Sequence, residues 1–321
     1  MSAINDSSSN AKQELLKHLL KKKGIRLTSE TIQRRTQSTP APLSFAEQRL
    51  WFLYQLEGKN STYNLPFALL LNGNLNKAAL EGAIAEIQRR HEVLRTRFQV
   101  VNDTPVRVID PEITVSLKVV DLQDLPEAEQ LTTVKRLVTI EAEKPFDLAN
   151  DPLVRVHLWR VSSQSHVLLI NMHHIVSDGW SMGIFTQELS ALYKAFLSGE
   201  PSPLPELPIQ YTDFAVWQRQ WLTGKVLEKQ LDYWKQQLAG APEVLALPID
   251  RPRQAVQAFR GATVSFLLPD SLSEALKALS KRTEVTLFMT LYAAFVTLLY
   301  RYTGSDDIVV GTPTANRNRP E

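Results

Sequence analysis

The feature that most constrains this chain is the run Val167-Leu-Leu-Ile-Asn-Met172, followed at once by His173-His174. It is apolar enough to read as a buried strand. The histidine pair therefore falls where a core strand gives way to a loop. A buried strand needs partners and covering helices, and the flanking sequence supplies both. Strand patterns occur at Tyr63–Leu71, Pro105–Ile109, Val115–Val120, Val154–Arg160 and His166–Met172. The first is closed by Asn72-Gly73-Asn74, which is turn chemistry.

Helical signals alternate irregularly with these strands. Ser44 and Glu47 fit a capping box that opens a helix through Gln48, Trp51, Leu53 and Leu56. Asn76 is placed to cap the next helix, whose face is Ala79, Leu80, Ala83, Ile84 and Ile87. Further helices are predicted over Glu127–Glu143 and over Trp180–Leu197, the latter stopping at Ser198-Gly199. Pro201–Pro208 holds four prolines in eight residues and reads as an inter-lobe connection. Beyond it, Tyr211–Leu238 reads as one long helix, Ser271 with Glu274 as the cap of another, Thr286–Tyr302 as a third ending at Gly304, and Asp307–Val310 as a short strand. The mixture lacks a strict βαβ alternation. That favours an α/β chain of two lobes over a doubly wound nucleotide fold.

Length agrees, since 321 residues at about 150 per domain is near two domains. We divide the chain into a leader and linker over 1–42, a first lobe over 43–200 and a second over 201–321. In the leader, Leu15, Leu16, Leu19 and Leu20 have helical spacing among Lys12, Lys17, Lys21, Lys22 and Lys23. This fits either a basic helix that docks on a partner or a solvated helical leader. Residues 28–42 read as a linker and the fold as starting at Leu43.

Composition excludes several classes. The 36 basic and 34 acidic side chains nearly balance, and eight of the basic residues lie in the first forty. Nothing in that balance points to nucleic acid. There is no cysteine, so disulfides, thiolate metal sites and a cysteine nucleophile are excluded, and an intracellular setting is allowed. No apolar run approaches the roughly 20 residues of a membrane helix, and the N-terminus lacks a signal-peptide pattern.

The chemistry concentrates in His173-His174-Ile-Val-Ser-Asp178-Gly179. A reactive imidazole at a rigid strand end is held in geometry. Asp178 is placed either to orient an imidazole or to hold the loop through an arginine. Gly179 lets a backbone come close to a substrate. The bland reading is a satisfied core pair or two metal ligands, but no third ligand stands at zinc-like spacing. His18, His91, His157 and His166 carry no comparable context. Four fixed letters in this arrangement arise by accident with odds on the order of 10⁻⁴.

These residues resemble the HHxxxDG signature of nonribosomal peptide synthetase condensation domains, relatives of the chloramphenicol acetyltransferase-like acyltransferases. Other segments agree in order. Ser44-Phe-Ala-Glu-Gln-Arg-Leu-Trp-Phe-Leu53 is similar to SxAQxRLWxL, and Arg90-His-Glu-Val-Leu-Arg95-Thr-Arg-Phe98 to RHExLRTxF. Tyr211-Thr-Asp-Phe-Ala-Val-Trp217 is similar to YxDFAxW, and Gly311-Thr-Pro-Thr-Ala-Asn-Arg317 to GxPxAxR. Read without the family, Trp51, Phe52 and Leu53 are core, and Tyr211, Phe214, Trp217 and Trp221 are one helix face in the core or between lobes.

The resemblance implies a two-lobed chloramphenicol acetyltransferase-like fold, with the second lobe incomplete because the chain ends within the fifth motif. It implies amide-bond formation between a donor acyl thioester and an aminoacyl acceptor, with His174 acting directly, His173 beside it, Asp178 structural and Gly179 offering an N–H or space. Arg90, Arg95, Arg317 and Trp217 are supporting residues, one of the arginines being expected to pair with Asp178. The subtype looks most like one joining an L donor to an L acceptor. No cofactor of its own is implied. Substrates arrive on the 4'-phosphopantetheine arms of upstream and downstream carrier domains in the cytoplasm, and the leader is a candidate contact with an upstream synthetase partner. The alternatives are a non-catalytic docking module and a coenzyme A-dependent HxxxD acyltransferase.

Overall fold

The computed structural model describes residues 31–36, 40–112, 117–252, 261–262, 264–317 and 319. The helix expected over Lys12–Lys23 lies outside the described residues. The chain divides into two compact units, one of Met1–Trp221 with Asn318–Glu321 and one of Leu222–Arg317. The division falls later than the proline segment. The helix after those prolines belongs to the first unit, because its Thr212 and Asp213 are buried there on Arg107 and Arg35.

The first unit is built on a four-stranded sheet in the order β2-β7-β6-β5. Its strands are β2 (Asn64–Asn72), β5 (Leu117–Asp121), β6 (Val154–Arg160) and β7 (Ser165–His173). β7 pairs antiparallel with β2 on one side and with β6 on the other. It is the central strand covered on both faces, and Leu168, Leu169 and Ile170 are each fully buried. That is why its sequence is a continuous apolar run. β5 and β6 are parallel, which demands a crossover, and helix α3 (Glu127–Glu143) supplies it.

Side-chain alternation sorts the two faces. Val156, Leu158, Leu168, Ile170 and Met172 point to helices α2 (Lys77–Arg90) and α4 (Gly179–Leu197), meeting Ala83, Ile84, Ile87, Phe185, Leu189 and Leu192. Trp159 and Leu169 point the other way, onto Val134 of α3. Asn76 caps α2 through its side chain, as the sequence predicts, and the expected apolar face is the buried one.

A second sheet, β1-β4-β3, is formed by Ala41–Pro42, Thr104–Ile109 and Thr96–Val101. The sequence reading has no strand at Thr96–Val101. The available signal was Asn102-Asp103, both with positive φ (49° and 59°), a two-residue hairpin turn. Ordered contacts begin before Leu43, contrary to expectation. Ala41 and Pro42 pair with β4, and Arg35 binds Glu92 at 2.6 Å and Asp213 at 3.4 Å. Helix α1 (Phe45–Glu57) starts in the expected capping box of Ser44 and Glu47 and packs Leu50 and Trp51 on Phe98. Phe52, expected in the core, is 61 % exposed because it faces away from that contact.

The predicted long helix is two, α5 (Tyr211–Trp221) and α6 (Gly224–Gln237). The break lies at Leu222-Thr223, followed by Gly224 at φ +48°, a left-handed backbone that stops one helix before the next begins. In the second unit, α6 is followed by α7 (Asp270–Arg282) and α8 (Leu287–Thr303). The cap predicted from Ser271 and Glu274 is not formed. α7 begins one residue earlier, with Pro269 at the cap position, where it fixes φ for the entry. α8 is capped by Thr286 and ends at Gly304, as expected. Asp307–Val310 is irregular rather than a strand, with no ladder partner among the described residues. No single described helix is long and apolar enough to cross a membrane.

Candidate active site at the end of the central strand

The two histidines sit on consecutive residues and in opposite environments. His173 is the last residue of β7 and is buried, its N–H bonded to Leu153 O at 3.0 Å. Its ring lies 6.3 Å from the Tyr63 ring and meets Phe146 edge-on at 6.1 Å. Burial first, and then the neighbouring His174, push its pKa down to about 4. Nδ1 of His173 accepts the Ile175 N–H at 3.1 Å. The neutral ring must then carry its proton on Nε2. His173 is a structural pin that folds the following turn, closed further by the Val176 N–H on His173 O at 3.0 Å.

His174 extends the β2 ladder by one bond, donating its N–H to Tyr63 O at 2.8 Å. Its side chain is exposed. Ile175 and Val176 then turn back into the core formed with Leu43, Trp51, Phe98 and Phe146. The exposed imidazole is thus fixed from both sides: sheet bonds before it, and two buried apolar side chains after it. Of the two histidines, only His174 is open to a reactant.

Asp178 is the N-cap of α4. Its Oδ1 accepts the Ser181 N–H at 2.8 Å and the Ser181 hydroxyl at 2.5 Å, satisfying an N–H of the helix's first turn. The sequence reading considered an imidazole or an arginine as its partner and missed the cap, although Asp178 directly precedes the predicted helix. Gly179 opens α4 with an ordinary negative φ, and a side chain built there would meet nothing within 4 Å.

Of the three arginines that were candidates to pair with Asp178, two bind other groups. Arg90 is buried and binds Glu188 of α4 at 3.4 Å and Pro205 O at 2.9 Å, tying α2 to α4 and to the proline segment. Arg95 donates to three backbone oxygens, Gln88 O at 2.9 Å, Arg89 O at 3.4 Å and Asp110 O. A guanidinium that reaches several carbonyls at once closes a turn better than it serves one carboxylate. Arg317 belongs to the second unit. Trp217 stacks on Trp221 at 5.2 Å and meets Phe214 at a tilt at 5.8 Å, with the Arg319 guanidinium 4.6 Å from its ring centroid. The aromatic stripe is therefore a packing element, as the helical spacing implies.

One pair escaped the sequence reading. Glu47 and Arg107 are both buried and form a direct ion pair between α1 and β4. Glu47 stands at the fourth letter of the SxAQxRLWxL pattern, where the pattern has Gln, so agreement there is not direct. The second carboxylate oxygen takes the Ser44 N–H at 2.7 Å, and Arg107 also donates to Thr212 Oγ1 at 2.8 Å. The residues lie sixty positions apart, beyond any local spacing rule. Among the described residues no cluster of three or more His, Asp or Glu side chains is arranged to hold a metal.

The comparisons agree with this geometry. The family profile described as Condensation domain matches residues 37–321. The chain is 50 % identical over 280 residues to a linear gramicidin synthase of Brevibacillus parabrevis, a match covering 87 % of this chain and 4 % of that protein. It is 49 % identical over 280 residues to malpinin synthetase of Mortierella alpina, again covering 87 % of this chain and 4 % of that protein. The chain thus spans a small part of the length of the synthetases it matches. Among solved structures it is similar to the X-domain of teicoplanin biosynthesis in complex with OxyB, with TM-score 0.71 and 29 % identity over 86 % of this chain and 60 % of that one. A four-domain nonribosomal peptide synthetase shares the fold, with TM-score 0.76 and 24 % identity over 87 % of this chain and 21 % of that one. The chain belongs to the condensation domain family, whose fold is the two-lobed chloramphenicol acetyltransferase-like one.

Proposed function

We propose that this chain forms an amide bond between a donor acyl or peptidyl thioester and the amine of an acceptor aminoacyl thioester, in nonribosomal peptide synthesis. Both substrates arrive on 4'-phosphopantetheine arms of partner carrier domains, and the chain brings no cofactor of its own. The observation that carries the reading is the split histidine pair: His173 buried and neutral as a pin, His174 exposed on a loop fixed at both ends.

The chemistry asks for little more. An α-amine with pKa near 8 is already partly neutral at pH 7. It attacks the thioester carbonyl carbon, a C–N bond forms, the C–S bond breaks, and the donor thiol leaves with the proton that the amine gives up. His174 takes that proton as the C–N bond forms and passes it to the departing sulfur, or holds the amine in line and hydrogen-bonds the tetrahedral species. Asp178 keeps α4 starting where it does, and Gly179 keeps the approach open. The identity to gramicidin synthase supports the reaction class.

The test is single-turnover condensation in the full-length protein with both carriers loaded. His174→Ala is expected to abolish product with an unchanged melting curve; turnover near the wild-type rate would overturn the assignment. The likeness to the X-domain that is seen bound to OxyB favours a second reading, a docking module without chemistry. Binding of carriers without any product from the wild-type protein would select it.

A further inference from the structure

We propose that Arg155 is a positioning residue for His174, acting at a distance through Phe146 and the ring of His173. The inference rests on the reading of His174 as the group that meets the substrate.

Arg155 lies in β6, opposite Asn171 of β7. Its guanidinium donates to Lys144 O at 2.8 Å and Pro145 O at 2.7 Å, with Asp151 at 3.2 Å, so it closes the turn that follows α3. Its Cζ also lies 3.8 Å from the centroid of Phe146, the next residue of that turn. A planar fork with five donors can do both at once; an ammonium cannot. Phe146 is 1 % exposed and stands edge-on to the His173 ring, with interplanar angle 82°. The order of contact is therefore Arg155, Phe146, His173, then the Ile175 N–H on Nδ1, and that last bond shapes the turn that presents His174.

Each link depends on the one before it. The Nδ1 atom accepts only while the ring is neutral. The ring stays neutral because Phe146 and Tyr63 keep water from it. Phe146 stays against the His173 ring because Arg155 holds the two carbonyls that precede it, Lys144 O and Pro145 O, and packs its guanidinium over the Phe146 face. Removing Arg155 lets water reach His173, makes protonation easier, and turns Nδ1 from acceptor into donor. The Ile175 bond is then lost and His174 is displaced. The charged and titratable groups around His173 are His174 on its own loop, Tyr63 before β2, and, behind Phe146, Arg155 with Asp151 and Lys144. Glu141 and His157 lie further along the same sheet face, beyond Asn171.

The experiment measures single-turnover rates in the full-length protein with loaded carriers, from pH 8 to pH 5.5, for wild type, Arg155→Ala and Arg155→Lys. The readout is the ratio of variant to wild-type rate at each pH, which cancels any titration common to both. For Arg155→Ala the ratio is expected to fall about fivefold between pH 8 and pH 5.5, as for a ring returning towards an ordinary imidazole. Arg155→Lys, which keeps the charge but not the fork, is expected to fall in the same direction by less, and it decides the matter if the alanine variant does not fold. A ratio constant with pH in a folded variant, however low, would overturn the inference. His174→Ala run alongside separates the two claims. If it still turns over at the wild-type rate, the reading of His174 fails; if it is dead while the Arg155 ratio is flat, only the positioning role fails.

Discussion

The Glu47–Arg107 pair gives the sharpest energetic test of the first unit. Both side chains are 1 % exposed, so each charge depends on the other. Glu47→Gln keeps an oxygen for the Ser44 N–H but removes the negative charge, leaving the Arg107 guanidinium buried without a counter-ion. Breaking a buried pair from one side costs about 3–5 kcal/mol, a drop in Tm of roughly 6–20 °C for a unit of this size. Arg107→Met strands the carboxylate and should cost a similar amount. The double variant has no buried charge. It loses the bond to Thr212 Oγ1, worth about 1 kcal/mol, and the guanidinium contact with the Tyr211 ring at 5.3 Å, while removing Arg107 Nε, a buried donor with no acceptor among the described residues. We therefore expect the double variant to lie within about 2 kcal/mol of wild type and above either single one. Urea unfolding followed by tryptophan fluorescence measures all four. Single losses below about 1 kcal/mol, or a double loss equal to the two singles together, would refute the reasoning.

Two further outcomes follow from the histidine loop. Asp178→Ala should cost about 1 kcal/mol by loss of the α4 cap and should lower the condensation rate; an unchanged melt in this variant counts against the cap. The His173 pKa is depressed to about 4 in the folded protein from an unfolded value near 6.5. The unfolded chain thus binds the extra proton first, and the stabilisation is complete above about pH 6.5 and disappears as pH falls towards 4, a loss of about 3 kcal/mol. His173→Asn, which keeps an acceptor near the Nδ1 position, should flatten the melting profile in that window; a slope equal to wild type would assign the acid loss to other groups.

Much of the first unit was legible because it is encoded locally. The Ser44–Glu47 box, the Asn76 cap, the apolar face of α2 and the unbroken apolar run of β7 each depend on residues within a few positions of one another. So does the histidine motif, whose letters locate the loop. The errors occurred where a local pattern has two solutions. The amphipathic pattern over Tyr211–Leu238 continues through a break that only the positive φ of Gly224 reveals. Thr96–Val101 overlaps the arginine motif, and its role as the first arm of a hairpin depends on pairing with Thr104–Ile109.

The sequence by itself determined the class of fold, the strand that ends at the histidines, and the position of the loop His173–Gly179 that follows it. Tertiary structure alone decided which histidine faces the solvent. It also gave Arg90 to Glu188 and Arg95 to backbone oxygens, paired Glu47 with Arg107, and set Arg155 behind Phe146. The physical reason is range. Caps and periodicity act over three or four residues, and burial periodicity fixes a face, but the partner of a buried charge is chosen by whichever distant segment the packed core brings within 3–4 Å.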